Sequence, residues 1–287
     1  MKTAFQEYFR LSDDDYKDLW ERALIVLDAN VLLNFYRYPA SVCESLYKVL
    51  GHVKERLWIP HQVAKEYLRE RENVILKQAS QYSDVIDDLN KVLTAFEHPR
   101  LHPHTSDDVI MKIKEVEDTL QKGCVDVGDL LKEDKVLSRL TALYPDDRVG
   151  ADFSKDEIET VLKNASERYE SKVPPGYEDH KKPIPDRYGD LFLWRQIIAQ
   201  SKLVKQDVLL VTDDRKQDWR RFYNNDRVLG PRHELIKEFR EETGRRFYMY
   251  APNIFLERAK DFLHLDVEKQ AIDELSDYHR AKRIEVK

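Results

Sequence analysis

Leu24-Ile25-Val26-Leu27-Asp28-Ala29-Asn30-Val31-Leu32-Leu33 is an apolar run interrupted by a carboxylate at its fifth residue. A short, continuous apolar run reads as a fully buried strand of the kind found at the centre of a parallel sheet. Residues 30–38 are helix-permissive and stop at Pro39. Ligands of open α/β sheets bind outside the carboxyl ends of the strands, so Asp28 stands where chemistry usually happens. An aspartate there also suits the N-cap of the following helix, and Asp28 by itself leaves both roles open.

Working outward, the chain repeats the pattern. Asp207-Val208-Leu209-Leu210-Val211-Thr212-Asp213-Asp214 is a second apolar strand ending on acids, followed by the polar turn Arg215-Lys216-Gln217-Asp218-Trp219-Arg220-Arg221. Leu57-Trp58-Ile59 reads as a further short strand ended by Pro60, where a helix can begin because proline is tolerated at the first helical position. On that helix Val63, Glu66, Tyr67 and Glu70 share a face, which places Glu66 early and beside an apolar stripe. Its plain alternative is a solvated rim glutamate. Near Tyr188-Gly189-Asp190-Leu191 another helix opens, with Asp190, Trp194, Ile197 and Ile198 at helical spacing. A carboxylate on a core-facing stripe needs a partner or a cation; as an N-cap after Gly189 it would need neither. Phe247-Tyr248-Met249-Tyr250 completes the strands.

Composition bounds the rest. The 287 residues are enough for one large domain or two small ones, with 36% charged and 41% hydrophobic residues and a net charge of -6. An acidic balance excludes a generally basic nucleic-acid binder, so nucleic-acid contact has to come from a local patch or from metals held by acids. The two cysteines, Cys43 and Cys124, form no paired metal motif and fit a reducing compartment. No run reaches the length of a membrane span and the start lacks a signal-peptide pattern, which gives a cytoplasmic expectation.

Residues 72–172 are charged and helical in period, without strand signals, and read as a helical insertion. His98, His102 and His104 sit in a proline-containing break, where a plain loop is a better reading than a metal site. The expected division is 1–71 and 173–256 as two parts of one α/β core, 72–172 as the insertion and 257–287 as a C-terminal helix. Pro174-Pro175-Gly176-Tyr177 through Pro183 is a turn-rich connector.

If the strands share a sheet, Asp28, Glu66, Asp190 and Asp213 or Asp214 meet at one edge. Two carboxylates about 4 Å apart repel by roughly 4 kcal/mol at an effective dielectric of 20. Such a cluster holds protons or hard cations. All-oxygen donors suit Mg2+ or Mn2+, and two such ions support phosphodiester hydrolysis.

Leu27-Asp28-Ala29-Asn30, Glu66, Gly189-Asp190 and Val211-Thr212-Asp213-Asp214 resemble the acidic motifs of the PIN-domain nucleases. The likeness is closer to a bacterial PIN-like subgroup, through Pro174-Pro175-Gly176-Tyr177, Tyr188-Gly189-Asp190-Leu191 and Val211 through Trp219. It covers residues 23–70 and 183–256. The resemblance implies a three-layer α/β/α domain with a mainly parallel sheet and metal-dependent cleavage of RNA, sometimes DNA. Members often lie near phage-defence genes. Carried over by position, Asp28, Glu66, Asp190 and Asp214 ligate metal, with Asp213 as alternate. Asn30 and Thr212 orient ligands, and Asp218 is an outer acid. Lys181, Lys182, Arg215, Lys216, Arg220 and Arg221 form a phosphate patch; the alternative for each is a solvated rim. A partner protein or second copy would engage the helical insertion, and substrate choice is not inherited through it.

Two rivals remain. A haloacid-dehalogenase-like phosphatase also starts on a strand ending in Asp, but needs an acid two residues later, where this chain has Asn30. The other is an inactive PIN fold acting as a binding partner, whose mark would be a missing acid; none is missing. No P-loop motif is present.

Overall fold

The computed structural model describes residues 1–98, 106–123, 131–224 and 227–285. His102, His104 and Cys124 lie outside them. Two compact units emerge: residues 1–67 with 139–287, and residues 68–138.

The first unit is built on the parallel sheet β1 (Leu24–Leu27), β2 (Val208–Val211) and β5 (Phe247–Tyr250), in the order β1-β2-β5. All residues of β1 and β2 are buried, as their unbroken apolar runs require of a sheet covered on both faces. Register aligns Leu27 with Val211 and Val211 with Tyr250, so the three strands end level. Asp28 N–H donates to Val211 O at 2.9 Å and Thr212 N–H to Tyr250 O at 3.0 Å, which carries the ladder one residue beyond each strand.

Side chains alternate across β5, and their partners separate two helix layers. Phe247 packs on Trp194 of α8 (Gly189–Val204) and Phe239 of α9 (His233–Thr243). Tyr248 and Tyr250 instead meet Tyr16 and Trp20 of α1 (Asp13–Arg22). Trp20 stacks in turn on Phe255 and Phe262 of α10 (Pro252–Leu263). The sheet therefore lies between a layer holding α8 and α9 and one holding α1 and α10. Helix α3 (Ala40–His52) packs on α10 and on α11 (Lys269–Glu285), and α7 (Lys155–Glu170) packs on α8. Gly244, at φ +68°, closes α9 in the left-handed conformation that glycine adopts at helix ends.

Two local expectations differ. Leu57–Ile59 forms no strand; it contributes single parallel bridges, Leu57 to Ile25 and Ile59 to Val149. Pro60 has no N–H with which to lengthen that ladder. The polar turn after Asp214 instead leads into an antiparallel hairpin, β3 (Arg220–Tyr223) with β4 (Arg227–Pro231). Its strands are charged and only partly buried, so they carry no apolar signature.

The second unit is helical. It takes α4 (His61–Glu97) from Leu68 onward, α5 (Asp107–Gly123) and the first turn of α6 (Lys135–Leu143). Arg71 and Asp134 pair within it at 2.9 Å, with the Asp134 side chain almost wholly buried. Residues 139–172, expected with the insertion, fall in the first unit.

Candidate active site

The level strand ends put the first acids together. Asp28 is the N-cap of α2 (Ala29–Asn34): its Oδ1 accepts from Ala29 N–H at 2.7 Å. Its Oδ2 turns toward β2 and accepts from the Thr212 hydroxyl and the Asn30 amide, each at 2.6 Å. One oxygen thus caps α2 and the other joins β1 to the end of β2. Asn30 also donates to Thr212 Oγ1 at 3.2 Å and accepts from Asp213 N–H at 3.0 Å. Thr212 Oγ1 accepts from Asp214 N–H at 3.0 Å. One polar net therefore fixes the ends of β1 and β2 against each other.

The second group surrounds an ammonium. Lys216 Nζ lies 2.8 Å from Asp190 Oδ2, 2.9 Å from Asp179 Oδ2 and 3.0 Å from Asp214 Oδ2. Lys216 N–H donates to Asp214 Oδ1 at 2.8 Å, and Trp219 Nε1 donates to Asp190 Oδ2 at 3.1 Å. The turn after β2 thereby grips the first turn of α8. Asp218 binds the proline-rich connector, accepting from Gly176 N–H at 2.8 Å and Glu178 N–H at 3.1 Å. Gly176 sits at φ +94°, and a Cβ there would approach Tyr169 Oη to 2.3 Å and Asp190 Cβ to 3.2 Å. The connector, the α8 start and the turn after β2 are one assembly.

The electrostatics join the two groups. Burial pushes the Asp28 carboxyl up to about 7; the Thr212 hydrogen bond opposes this, and the charges of Asp190, Glu66 and Asp214 add to it. Asp190 is also raised by burial, against the pull of Lys216. Burial works against the charge on Lys216, but Asp190 and Asp214 outweigh it and hold the ammonium protonated. Burial raises Asp218 to about 6.

Other expected residues are placed differently. Asp213 turns away from this cluster: its Oδ1 lies 2.8 Å from Nδ1 of His279 on α11, and its Oδ2 accepts from Asn34 at 3.4 Å. Asp214 is the acid facing Lys216 and Asp190. Arg220 is not at a phosphate-facing surface. It is 3% exposed and donates to Asp214 O, Thr212 O and Tyr250 O at 2.8, 2.7 and 3.1 Å, which clamps the strand ends. Lys216 is likewise committed to carboxylates, and Asp218 to main-chain N–H groups. Lys181 and Lys182 are exposed, and Lys182 reaches Asp179 Oδ2 at 2.8 Å. Arg215 lies over the Phe222 ring, 5.5 Å from its centroid, and Arg221 donates to Pro231 O at 2.9 Å. Glu66 is half-buried on the first turns of α4. Asp179 and His279 escaped the sequence reading. Asp179 had a signal, being a carboxylate within the motif-bearing connector; His279 had none, lying on a charged terminal helix.

Residues 24–235 match the sequence profile of the PIN like domain family, well over half of the chain. The chain belongs to the PIN-like domain family. Domains of this kind are generally nucleases, which at a coarse level supports a hydrolase. No curated protein and no solved structure matches the chain. The family match ends within α9, so α11 and its His279 lie beyond it.

PIN nucleases typically use divalent metals, and the donor chemistry of this PIN-like site fits one. Its acids offer only hard oxygen donors, the set that suits Mg2+ or Mn2+. Among the described residues, no group of three carboxylate, histidine or cysteine residues is set to hold a metal. Mg2+ does not require one, since it is commonly held by one or two carboxylates, water and substrate phosphate. A cation already stands among these acids, the ammonium of Lys216. No helix among the described residues is long and apolar enough to cross a membrane.

Proposed function

We propose that the protein is an endonuclease that uses Mg2+ or Mn2+ to hydrolyse phosphodiester bonds in single-stranded RNA. The observation that carries the reading is the gathering of acids at the carboxyl edge of a parallel sheet, where Asp28 accepts from Thr212 and Lys216 draws Asp190 and Asp214 together. A divalent ion supplies polarisation of the scissile phosphate and an acidified water for attack.

The chain's own residues do the rest. Asp28 and Glu66 would hold the ion, and Asp190 and Asp214 would complete the acidic wall. Thr212 and Asn30 stop the Asp28 carboxylate from rotating, the task of groups behind a ligand. Exposed Lys181 and Lys182, beside Asp179, contact the phosphate backbone and position it without reading sequence. The helical unit of residues 68–138 is the addition to a minimal nuclease core, and it selects substrate or partner. The setting is cytoplasmic antiviral defence, the surroundings that the subgroup resemblance and the cysteine usage suggest.

A phosphatase of haloacid-dehalogenase type is disfavoured because Asn30 is spent on Asp28, Thr212 and the Asp213 amide. The direct test incubates end-labelled single-stranded RNA and DNA with the protein in Mn2+ and in EDTA, alongside p-nitrophenyl phosphate. Internal cleavage of RNA in Mn2+ alone is expected. Phosphate-ester turnover without strand cleavage would replace the reading with the phosphatase.

A further inference from the structure

The sequence pattern points to two divalent ions, but the site geometry is asymmetric in charge. An ammonium has three N–H donors and no acceptor. Those of Lys216 face three separate carboxylates, Asp190, Asp179 and Asp214, at 2.8–3.0 Å. Its side chain is 24% exposed and cannot be a loose surface lysine. The backbone ties it further. Lys216 N–H holds Asp214 Oδ1, and Trp219, three residues on, holds Asp190 Oδ2. The short turn that carries Lys216 and Asp214 is thus tied to Asp190 at the start of α8 and to Asp179 in the connector.

On the other side, Asp28 accepts from three neutral donors, Ala29 N–H, Asn30 and Thr212. Among the described residues no lysine or arginine pairs with it, and the charges of Asp190, Glu66 and Asp214 bear on it.

A divalent ion needs oxygens at about 2.0–2.1 Å for Mg2+ and would compete with Lys216 for the same Asp190 and Asp214 atoms. Two like charges would then share those two carboxylates. We propose that the Lys216 ammonium is a resident cation of the site, taking the place of a second metal ion beside Asp190 and Asp214, so that the protein binds one divalent ion rather than two. Asp28 and Glu66 would hold that ion, and Lys216 would supply fixed positive charge beside Asp190 and Asp214, the function a second metal would otherwise serve. The inference rests on the metal-dependent reading above.

The test is a titration of the nucleic-acid-free full chain with Mn2+ alone. Isothermal calorimetry counts the bound ions, and electron paramagnetic resonance tells isolated Mn2+ from a spin-coupled pair. Wild type is expected to bind one ion with an isolated signal. Lys216→Met, which keeps length and removes charge, is expected to bind two; Lys216→Arg, which keeps charge, is expected to bind one. Two ions or a coupled pair in wild type overturn the proposal while leaving metal-dependent cleavage intact. A folded Lys216→Met protein that still binds one ion also overturns it. Wild type that binds no Mn2+ at all removes both this inference and the metal-dependent reading. If Lys216→Met does not fold, the wild-type count and the form of its resonance signal still decide.

Discussion

At the residue scale, Asp28 ties stability to chemistry. Its folded carboxyl keeps a proton up to about pH 7, whereas an unperturbed one releases it near 3.8. Between those values the folded state binds more protons than the unfolded one, so stability falls as pH rises and levels off above about 7. Without metal, the wild-type melting temperature should therefore drop between pH 5 and pH 8. At 1.36 kcal/mol per pH unit the loss across that window is at most about 2.7 kcal/mol, since only the span from pH 5 to about 7 contributes. Asp28→Asn should remove most of that slope; an unchanged slope assigns it to another group. Thr212→Val deletes the hydroxyl that holds Asp28 Oδ2. Loss of such a supporting contact typically costs roughly 10–100-fold in metal affinity or activity, and a Mn2+ titration of the variant measures it. Asp213 and Asp214 are adjacent in sequence but face opposite ways, a distinction that a Thr-x-Asp pattern suggests and only the pairing with His279 explains.

At the scale of elements, apolar strands were the most legible. β1, β2 and β5 follow from short apolar runs, and the helix around Asp190 from its spacing. What escaped were segments whose structure comes from ion pairs rather than apolar periodicity. The β3–β4 hairpin is charged, and Arg220 reads as a surface arginine in a basic turn. Only the fold shows that three carbonyls at the ends of β2 and β5 and in the following turn converge on its guanidinium. Arg220→Met should cost roughly 3 kcal/mol, because it leaves buried carbonyls without donors, and urea unfolding checks it. The connector shows the same limit. Its Pro-Pro-Gly-Tyr signature was visible, but its purpose was not: it brings Asp179 to Lys216 and presses Gly176 against Tyr169 and Asp190. Gly176→Ala should destabilise the fold by about 1–3 kcal/mol through a strained positive φ and should also displace Asp190. A melt matching wild type would mean that the connector yields without loss.

For the whole molecule, acids from separated stretches of chain come together because parallel strands end level and helices leave from the same edge. Two strand runs, β1 and β2, end close to acids in the sequence, and the level register sets those ends side by side. Residues 68–138 were recognisable as helical but not as a compact unit that stops at Ser138; charged helices have no apolar boundary to mark where one unit ends. If this unit selects substrate, replacing residues 68–138 with a short linker should preserve Mn2+-induced stabilisation of the nuclease core and erase preference among RNA substrates. Retained preference would move selection to the connector lysines. The claim underlying the whole account is that Asp28 works with Asp214, and not with Asp213, in metal-dependent strand cleavage. The most direct measurement is the Mn2+-dependent rate on end-labelled single-stranded RNA for wild type, Asp28→Asn, Asp214→Asn and Asp213→Asn, each shown to be folded. The expected result is cleavage by wild type and Asp213→Asn, and none by Asp28→Asn or Asp214→Asn. Equal cleavage by all four proteins, or none by any while Mn2+ still raises the wild-type melting temperature, would contradict it.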